Sequence, residues 1–217
     1  MATRPATARL SATDRRQQIL GVATRLFARQ GFNGTTTRQI AEKAHVNEAI
    51  IFRHFPTKDD LYWGVLDEKV QRARSRHKLE ERFHEKQEAR ELFIELAEDL
   101  LSRDTTMSRL LMFSALENHR LAGRFFQTYI ATYYEKLAEH IGERIAAGEF
   151  RQVDPLLAAR GFLGMLVYHF WIQEIYGGKR YQNFDQRQVA ETLVDIWLTG
   201  ITSERLSESG TNGKNGR

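Results

Sequence analysis

The stretch from Thr36 to Lys58 concentrates side chains suited to holding a nucleic-acid duplex rather than to making or breaking bonds. Thr36, Thr37 and Lys58 stand at expected helix starts, where backbone N–H groups and the helix dipole already favour an anion, so they are natural phosphate clamps. Arg53 and His54 are placed to donate to phosphate or guanine, and Ala49, Ile50 and Phe52 offer apolar surface to thymine methyls or the sugar edge of a major groove. Glu48 cannot hold phosphate; it either accepts from cytosine N4 or favours the start of its own helix, and the second fits better. Catalytic chemistry has no comparable concentration. The 217 residues include no cysteine and seven histidines without zinc-ligand spacing. There is also no Gly-rich phosphate loop, no HExxH pair and no carboxylate pair with an evident shared site, so the expectation is no enzyme, no metal and no cofactor.

Three short helices must position these side chains. Ser11 followed by Asp14 caps a first helix whose apolar stripe is Ile19, Val22, Ala23, Leu26 and Phe27, and Gly31 sits where it stops. Thr36 and Gln39 form a capping box that opens a second, short helix with Ile40, Ala41 and Ala44 inward, ending by about His45. Asn47 caps a third helix in which Ile51 and Phe55 lie four apart on one face, and Pro56 halts it. With those two committed inward, helical geometry turns Ala49, Phe52 and Arg53 outward and puts Glu48, Ile50 and His54 on the flanks. The alternative for Phe52 is packing against a fourth helix; recognition helices characteristically present such faces, which favours the groove. Two helices separated by a few residues behind a third are the geometry of a helix-turn-helix. Charge agrees: from Met1 to Lys58 ten Lys/Arg stand against three Asp/Glu, giving +7, whereas the chain as a whole carries +4 and the remainder therefore −3. A basic head meets polyanions through counterion release.

The run Thr35-Thr36-Thr37-Arg38-Gln39-Ile40-Ala41-Glu42-Lys43-Ala44-His45-Val46-Asn47, followed by Ile51-Phe52-Arg53-His54-Phe55-Pro56-Thr57-Lys58-Asp59-Asp60-Leu61, strongly resembles the signature of TetR-family transcriptional regulators. The resemblance covers roughly residues 15 to 62 and includes the preceding Leu26-Phe27 and Gly31-Phe32 signals. It implies a nine-helix, omega-shaped homodimer in which the third helix reads DNA and the body binds a small effector. Thr37, Arg38, Asn47, Ala49, Phe52, His54 and Lys58 match positions that commonly touch DNA in this family. Two departures stand out. His45 occupies a turn position usually held by Gly, which puts a side chain into a left-handed backbone region at some cost. Phe52 replaces a frequent Tyr and so lacks a hydroxyl for phosphate.

The expected architecture is all-α: a flexible arm over 1–12, the helix-turn-helix head over 13–60, an effector-binding and dimerisation body over 61–206, and a disordered tail over 207–217. The start of the chain is polar and basic with no apolar run, unlike a signal peptide. A long fourth helix begins near Lys58 and breaks near Phe83 to Lys86; later helices follow from Leu92 to Leu101, from Met107 to Leu116, and from Phe125 to Ile145. Asp154 with Pro155 opens an apolar helix to Tyr176, and Asp185 caps the last. The apolar stretch Gly161 to Ile172 falls short of the ~20 apolar residues of a membrane span. The helices at about 155–176 and 186–205 are too apolar for a monomer's outer layer, and pairing with their symmetry mates, helped by Gly161, Gly164 and Gly200, would bury them in a homodimer. Phe93, Leu96, Met112, Phe126, Tyr129, Tyr133, Phe162, Met165 and His169 lie on helices that, by the resemblance, surround an effector cavity; each also reads as plain core. Glu117, His119 and Arg120 either line that cavity or face water. The functional expectation is a cytoplasmic, DNA-binding repressor released from a double-stranded, pseudo-palindromic operator by a largely apolar small molecule. The alternative is a helical interaction adaptor or small-molecule-binding protein that does not read DNA.

Overall fold

Each helix of the head starts where a side chain satisfies an orphan backbone N–H. The computed structural model describes residues 10–77 and 88–202, so the arm before residue 10, the expected break near Phe83 and the tail lie outside the described residues. In chain order the helices are α1 (Ala12–Gln30), α2 (Thr37–Ala44), α3 (Glu48–His54), α4 (Lys58–His77), α5 (Ala89–Leu101), α6 (Thr106–Leu116) and α7 (Arg120–Phe125). A π-helical stretch, Phe126–Ala131, leads into α8 (Thr132–Ala146); then come α9 (Pro155–Phe170), a second π-helical stretch, Trp171–Ile175, and α10 (Gln186–Ile201). Among the described residues the regular elements are helical, with one isolated bridge between Phe150 and Thr202.

The chain falls into two compact units, and they do not follow a single cut after residue 60. One gathers the residues up to Ala73 together with Thr106–Phe125; the other holds Arg74–Thr105 and the chain from Phe126 onward. α6 and α7 thus pack with the head although they follow α5 in sequence.

In the first unit Ser11 accepts from the N–H of Asp14 at 3.1 Å, Thr36 and Gln39 close a reciprocal capping box, and Asn47 accepts from the N–H of Ala49 at 2.9 Å. Thr57 and Asp60 form a second such pair at the start of α4, with N–H···O distances of 3.0 and 3.1 Å. Gly31 ends α1 at φ 74, a left-handed value that costs glycine nothing. Ile19, Leu20, Ala23 and Phe27 of α1 are buried with Ile40, Ala41 and Ala44, with Ile51 and Phe55, and with Leu61, Tyr62, Val65 and Leu66 of α4. The Gln18 amide donates to the Ala44 carbonyl at 3.0 Å, pairing an orphan group at the end of α2 with α1.

In the second unit α5, α8, α9 and α10 enclose one apolar core, with Phe93, Leu137, Ile141, Phe162, Leu166, Val194 and Trp197 buried. Asp154 accepts from the N–H of Leu157 at 2.8 Å with Pro155 in the first turn, and Asp185 accepts from the N–H of Gln188 at 2.9 Å. Arg90 holds Asp195 through two bonds of 2.7 and 3.0 Å, tying α5 to α10. The helical run from Pro155 to Ile175 is 21 residues long and, by length and composition, long enough to cross a bilayer, contrary to the expectation from Gly161–Ile172 alone. The difference arises because Pro155–Ala159 and the π-helical stretch extend the apolar segment at both ends. One side of this run, through Phe162, Leu163, Leu166 and Phe170, is core.

Candidate nucleic-acid interface

α3 has the two-sided character its sequence requires. Ile51 is fully buried and Phe55 nearly so, whereas Phe52 is 44 % exposed and Ala49 and Arg53 are exposed beside it. Phe52 thus keeps a substantial part of its ring on the surface, on the face opposite Ile51. His54 is half-buried, with its ring 6.5 Å from that of Phe55. The turn before α3 carries His45 at φ 54 and ψ 44, the left-handed conformation that a glycine would adopt more cheaply. The N–H groups of His45 and Val46 donate to Glu42 and Ala41 carbonyls at 3.2 and 3.0 Å, so the turn closes α2 properly despite the side chain.

Local hydrogen bonding sorts the expected phosphate contacts. The Thr36 N–H is spent on the Gln39 side chain at 3.0 Å, and the Thr36 hydroxyl accepts from the Gln39 N–H at 3.1 Å. What the start of α2 offers an anion is thus the N–H groups of Thr37 and Arg38. The exposed Arg38 guanidinium pairs with Glu42 at 3.2 Å, a surface contact that is readily exchanged. The Thr37 hydroxyl donates to the Glu48 carboxylate, which lies in the first turn of α3. Glu48 therefore links the two helices of the motif and complements the dipole of α3. Asn47 is exposed, and its carbonyl oxygen serves the cap while its amide N–H groups remain outward.

Lys58 begins α4 and is half-buried, with its ammonium 4.1 Å from the centre of the Phe32 ring. Burial pulls its pKa below the ordinary lysine value, and Glu117 and Asp59 push the other way. Glu117 is a functional neighbour that sequence reasoning missed. Its carboxylate accepts from the backbone N–H of Phe32 at 3.0 Å and of Asn33 at 3.2 Å, so it does not face only water. Its signal in the sequence is absent, because it lies more than eighty residues from its partners. His119 meets Phe32 edge-on at 4.1 Å, and its Nε2 is 3.5 Å from Asp59; Arg120 donates to the same carboxylate at 3.1 Å. Burial holds the His119 pKa below the usual imidazole value, with Asp59 opposing. Burial also pushes the Tyr62 hydroxyl up to about 12, and it donates to the Leu110 carbonyl at 2.9 Å.

The expected effector-cavity residues divide. Phe93, Leu96 and Phe162 are buried in the core of the second unit, and Tyr133 and Met165 pack against the same cluster half-buried. The Phe93 ring lies 4.9 Å from Phe162 and 4.5 Å from Trp197, so these rings fill one another's space; Trp197 was not among the expected residues. Tyr129 and His169 are half-buried, the latter 5.8 Å from the Phe184 ring and with its pKa lowered by burial. Phe126 is exposed, and Met112 belongs to the other compact unit. Among the described residues no group of three or more His, Asp or Glu side chains is placed to hold a metal ion.

Residues 19–63 match the family of bacterial regulatory proteins named for TetR, and residues 74–200 match the C-terminal domain of AefR-like transcriptional repressors. The second match alone spans more than half of the chain. The chain belongs to the TetR family. Within that family it is similar to the HTH-type transcriptional repressor Rv3405c of Mycobacterium tuberculosis, with 46% identity over 71 residues, 31% of this chain and 38% of that protein. This TetR-family chain therefore spans well under half the length of that curated relative. In fold it is similar to a regulator from Saccharomonospora viridis solved with choline, at 23% identity and a TM-score of 0.71 over 88% of this chain and 100% of that one. It is likewise similar to FadR of Bacillus subtilis solved with stearoyl-CoA, at 21% identity and a TM-score of 0.66 over 85% of this chain and 98% of that one.

Proposed function

We propose that this TetR-family chain is a dimeric, cytoplasmic DNA-binding regulator that represses by holding a pseudo-palindromic operator and lets go when a small, largely apolar effector occupies its body. The observation that carries the reading is α3: it buries Ile51 and Phe55 and leaves Phe52, 44 % exposed, on an outward face with Ala49 and Arg53. An exposed aromatic on a head of charge +7 suits base edges and thymine methyls better than water. In this reading residues 13–60 form the reading head and 61–206 the body. Thr37, Arg38, Asn47 and Lys58 hold phosphates around the groove, with Thr36 capping α2 beneath them, and Ala49, Phe52, Arg53 and His54 face the bases, with Glu48 bracing α3 from behind.

Two identical heads must sit about 34–36 Å apart, or a multiple, to reach successive half-sites. Dimerisation is supported by the second unit's outer surface. Leu157, Tyr168 and Ile196 are 67 %, 65 % and 58 % exposed, and added Cβ atoms at Gly161, Gly164 and Gly200 meet no other atom within 4 Å. That surface suits a four-helix bundle with a second copy of α9 and α10 better than solvent or lipid, because it carries Arg160 and Thr199 among its apolar groups. The largely apolar effector is supported by the lining candidates Tyr129, Tyr133 and Met165, and by a protein of the same fold solved with stearoyl-CoA, whose acyl chain is apolar. An effector that prefers a head spacing unlike that of the operator shifts the population off DNA.

Fluorescence anisotropy on duplexes from the region upstream of the chain's own coding sequence tests the reading. Tight binding that weakens steeply between 50 and 200 mM salt, by about three orders of magnitude for six phosphate contacts, is expected. Affinity that stays flat as salt rises would falsify it.

A further inference from the structure

The turn between α6 and α7 places a carboxylate inside a head that must meet a polyanion, and that placement needs a reason. Glu117 accepts from the N–H of Phe32 at 3.0 Å, and both its oxygens reach the N–H of Asn33, at 3.2 and 3.3 Å. Hydrogen bonds to an ionised acceptor are the strong ones, and two adjacent backbone amides fix the loop that carries them. That loop leads directly from Gly31 into the Thr36 cap, beyond which Thr37 and Arg38 open α2.

The seat is shaped for this contact. Gly31 has φ 74, and a Cβ built on it would come within 2.3 Å of a Glu117 oxygen and 2.9 Å of the Phe113 ring. Carboxylate and loop therefore approach as closely as a residue without a side chain permits. The same corner is anchored on both sides. Arg109 of α6 donates to the Ala28 carbonyl near the end of α1 at 2.9 Å. Asn118 adopts φ 51, and the chain then carries His119 against Phe32 and Arg120 onto Asp59 in the first turn of α4. The α6–α7 corner thus grips the entry to α2 through Glu117 and the entry to α4 through His119 and Arg120.

We infer that Glu117 is a positioning residue for DNA binding: through the Phe32 and Asn33 amides it holds the entry to α2 so that Thr37 and Arg38 meet phosphate while α3 lies in the groove. The inference rests on the DNA-binding reading above. It has a sign that simple electrostatics contradicts. Removing a negative charge from a DNA-binding surface by Coulomb attraction alone tightens binding, whereas removing a positioning group loosens it.

The test uses the full-length chain, its E117Q and E117A variants, and the labelled upstream duplex, titrated at several salt concentrations beside thermal melts. E117Q keeps the size of the side chain and one acceptor, so it remains informative if E117A does not fold. The expected result is affinity lower by about tenfold for E117Q and more for E117A, with the slope of log K against log salt shallower by about 0.9 as one phosphate contact is lost. E117Q binding within twofold of wild type, or more tightly, overturns the inference. A weaker affinity with an unchanged salt slope also overturns it, since a purely structural loss lowers the active fraction without removing a phosphate contact. Failure of wild type and variants alike to bind the duplex at any salt overturns the DNA-binding reading and the positioning role with it, a pattern distinct from the other two.

Discussion

Ile51 and Phe52 are neighbours in sequence with opposite fates, and the difference is measurable. Ile51 is fully buried, so Ile51→Ala creates a cavity and is expected to cost about 2–5 kcal/mol, read as a lower denaturant midpoint. Phe52 is 44 % exposed, so Phe52→Ala is expected to leave the melt nearly unchanged while duplex affinity falls about tenfold, or ~1.4 kcal/mol. Equal effects on folding and binding from both substitutions would show that α3 is misplaced. The histidines add a pH dependence. Burial lowers the pKa of His119, His140 and His169, so the folded chain binds protons less readily than the unfolded chain, whose imidazoles titrate near 6.5. Their contribution to stability is complete above about pH 6.5 and is lost as pH falls through the lowered folded values. The melting temperature is expected to drop between pH 7.5 and 5.5, and to drop less in His119→Asn. A melt that rises on acidification contradicts the sign.

At the scale of the element, the helix-turn-helix is set by caps that the sequence displays and by one backbone conformation that it does not favour. His45 sits at φ 54, where a non-glycine residue is strained by roughly 1–2 kcal/mol. His45→Gly relieves that strain but loosens the unfolded chain, so the net expected gain is a modest rise in melting temperature, equivalent to about 0.5–1 kcal/mol, with DNA affinity preserved. A fall in stability would mean that the imidazole holds the turn by a contact of its own. The capping box Thr36/Gln39 was legible because its spacing is local and its chemistry reciprocal. The two π-helical stretches, Phe126–Ala131 and Trp171–Ile175, carry no such local signal, since the apolar periodicity runs through both without interruption.

At the scale of the whole molecule, reading a palindrome requires two heads, and the outer surface of α9 and α10 is where a partner copy is expected. Ile196→Arg places a charge on a 58 % exposed position that is free to hydrate in the monomer and is desolvated in the dimer. Sedimentation is expected to show a shift from dimer to monomer, with operator affinity falling by two orders of magnitude or more because the second half-site no longer adds its contacts. A variant that stays dimeric moves the interface elsewhere. Gly161, Gly164 and Gly200, with open space around them within one chain, are part of the same expectation.

Local chemistry determined much of this protein from sequence: where the helices start and stop, which face of α3 is apolar, and the basic head that suits a duplex. These are effects of neighbours within a turn or two, so they survive in one dimension. Tertiary structure decided the rest. Only in three dimensions do α6 and α7 join the head, Glu117 reach the amides of Phe32 and Asn33, and Phe93, Phe162 and Trp197 meet in one core. Those contacts join residues dozens of positions apart, and no periodicity or cap encodes which distant helix arrives beside a given side chain.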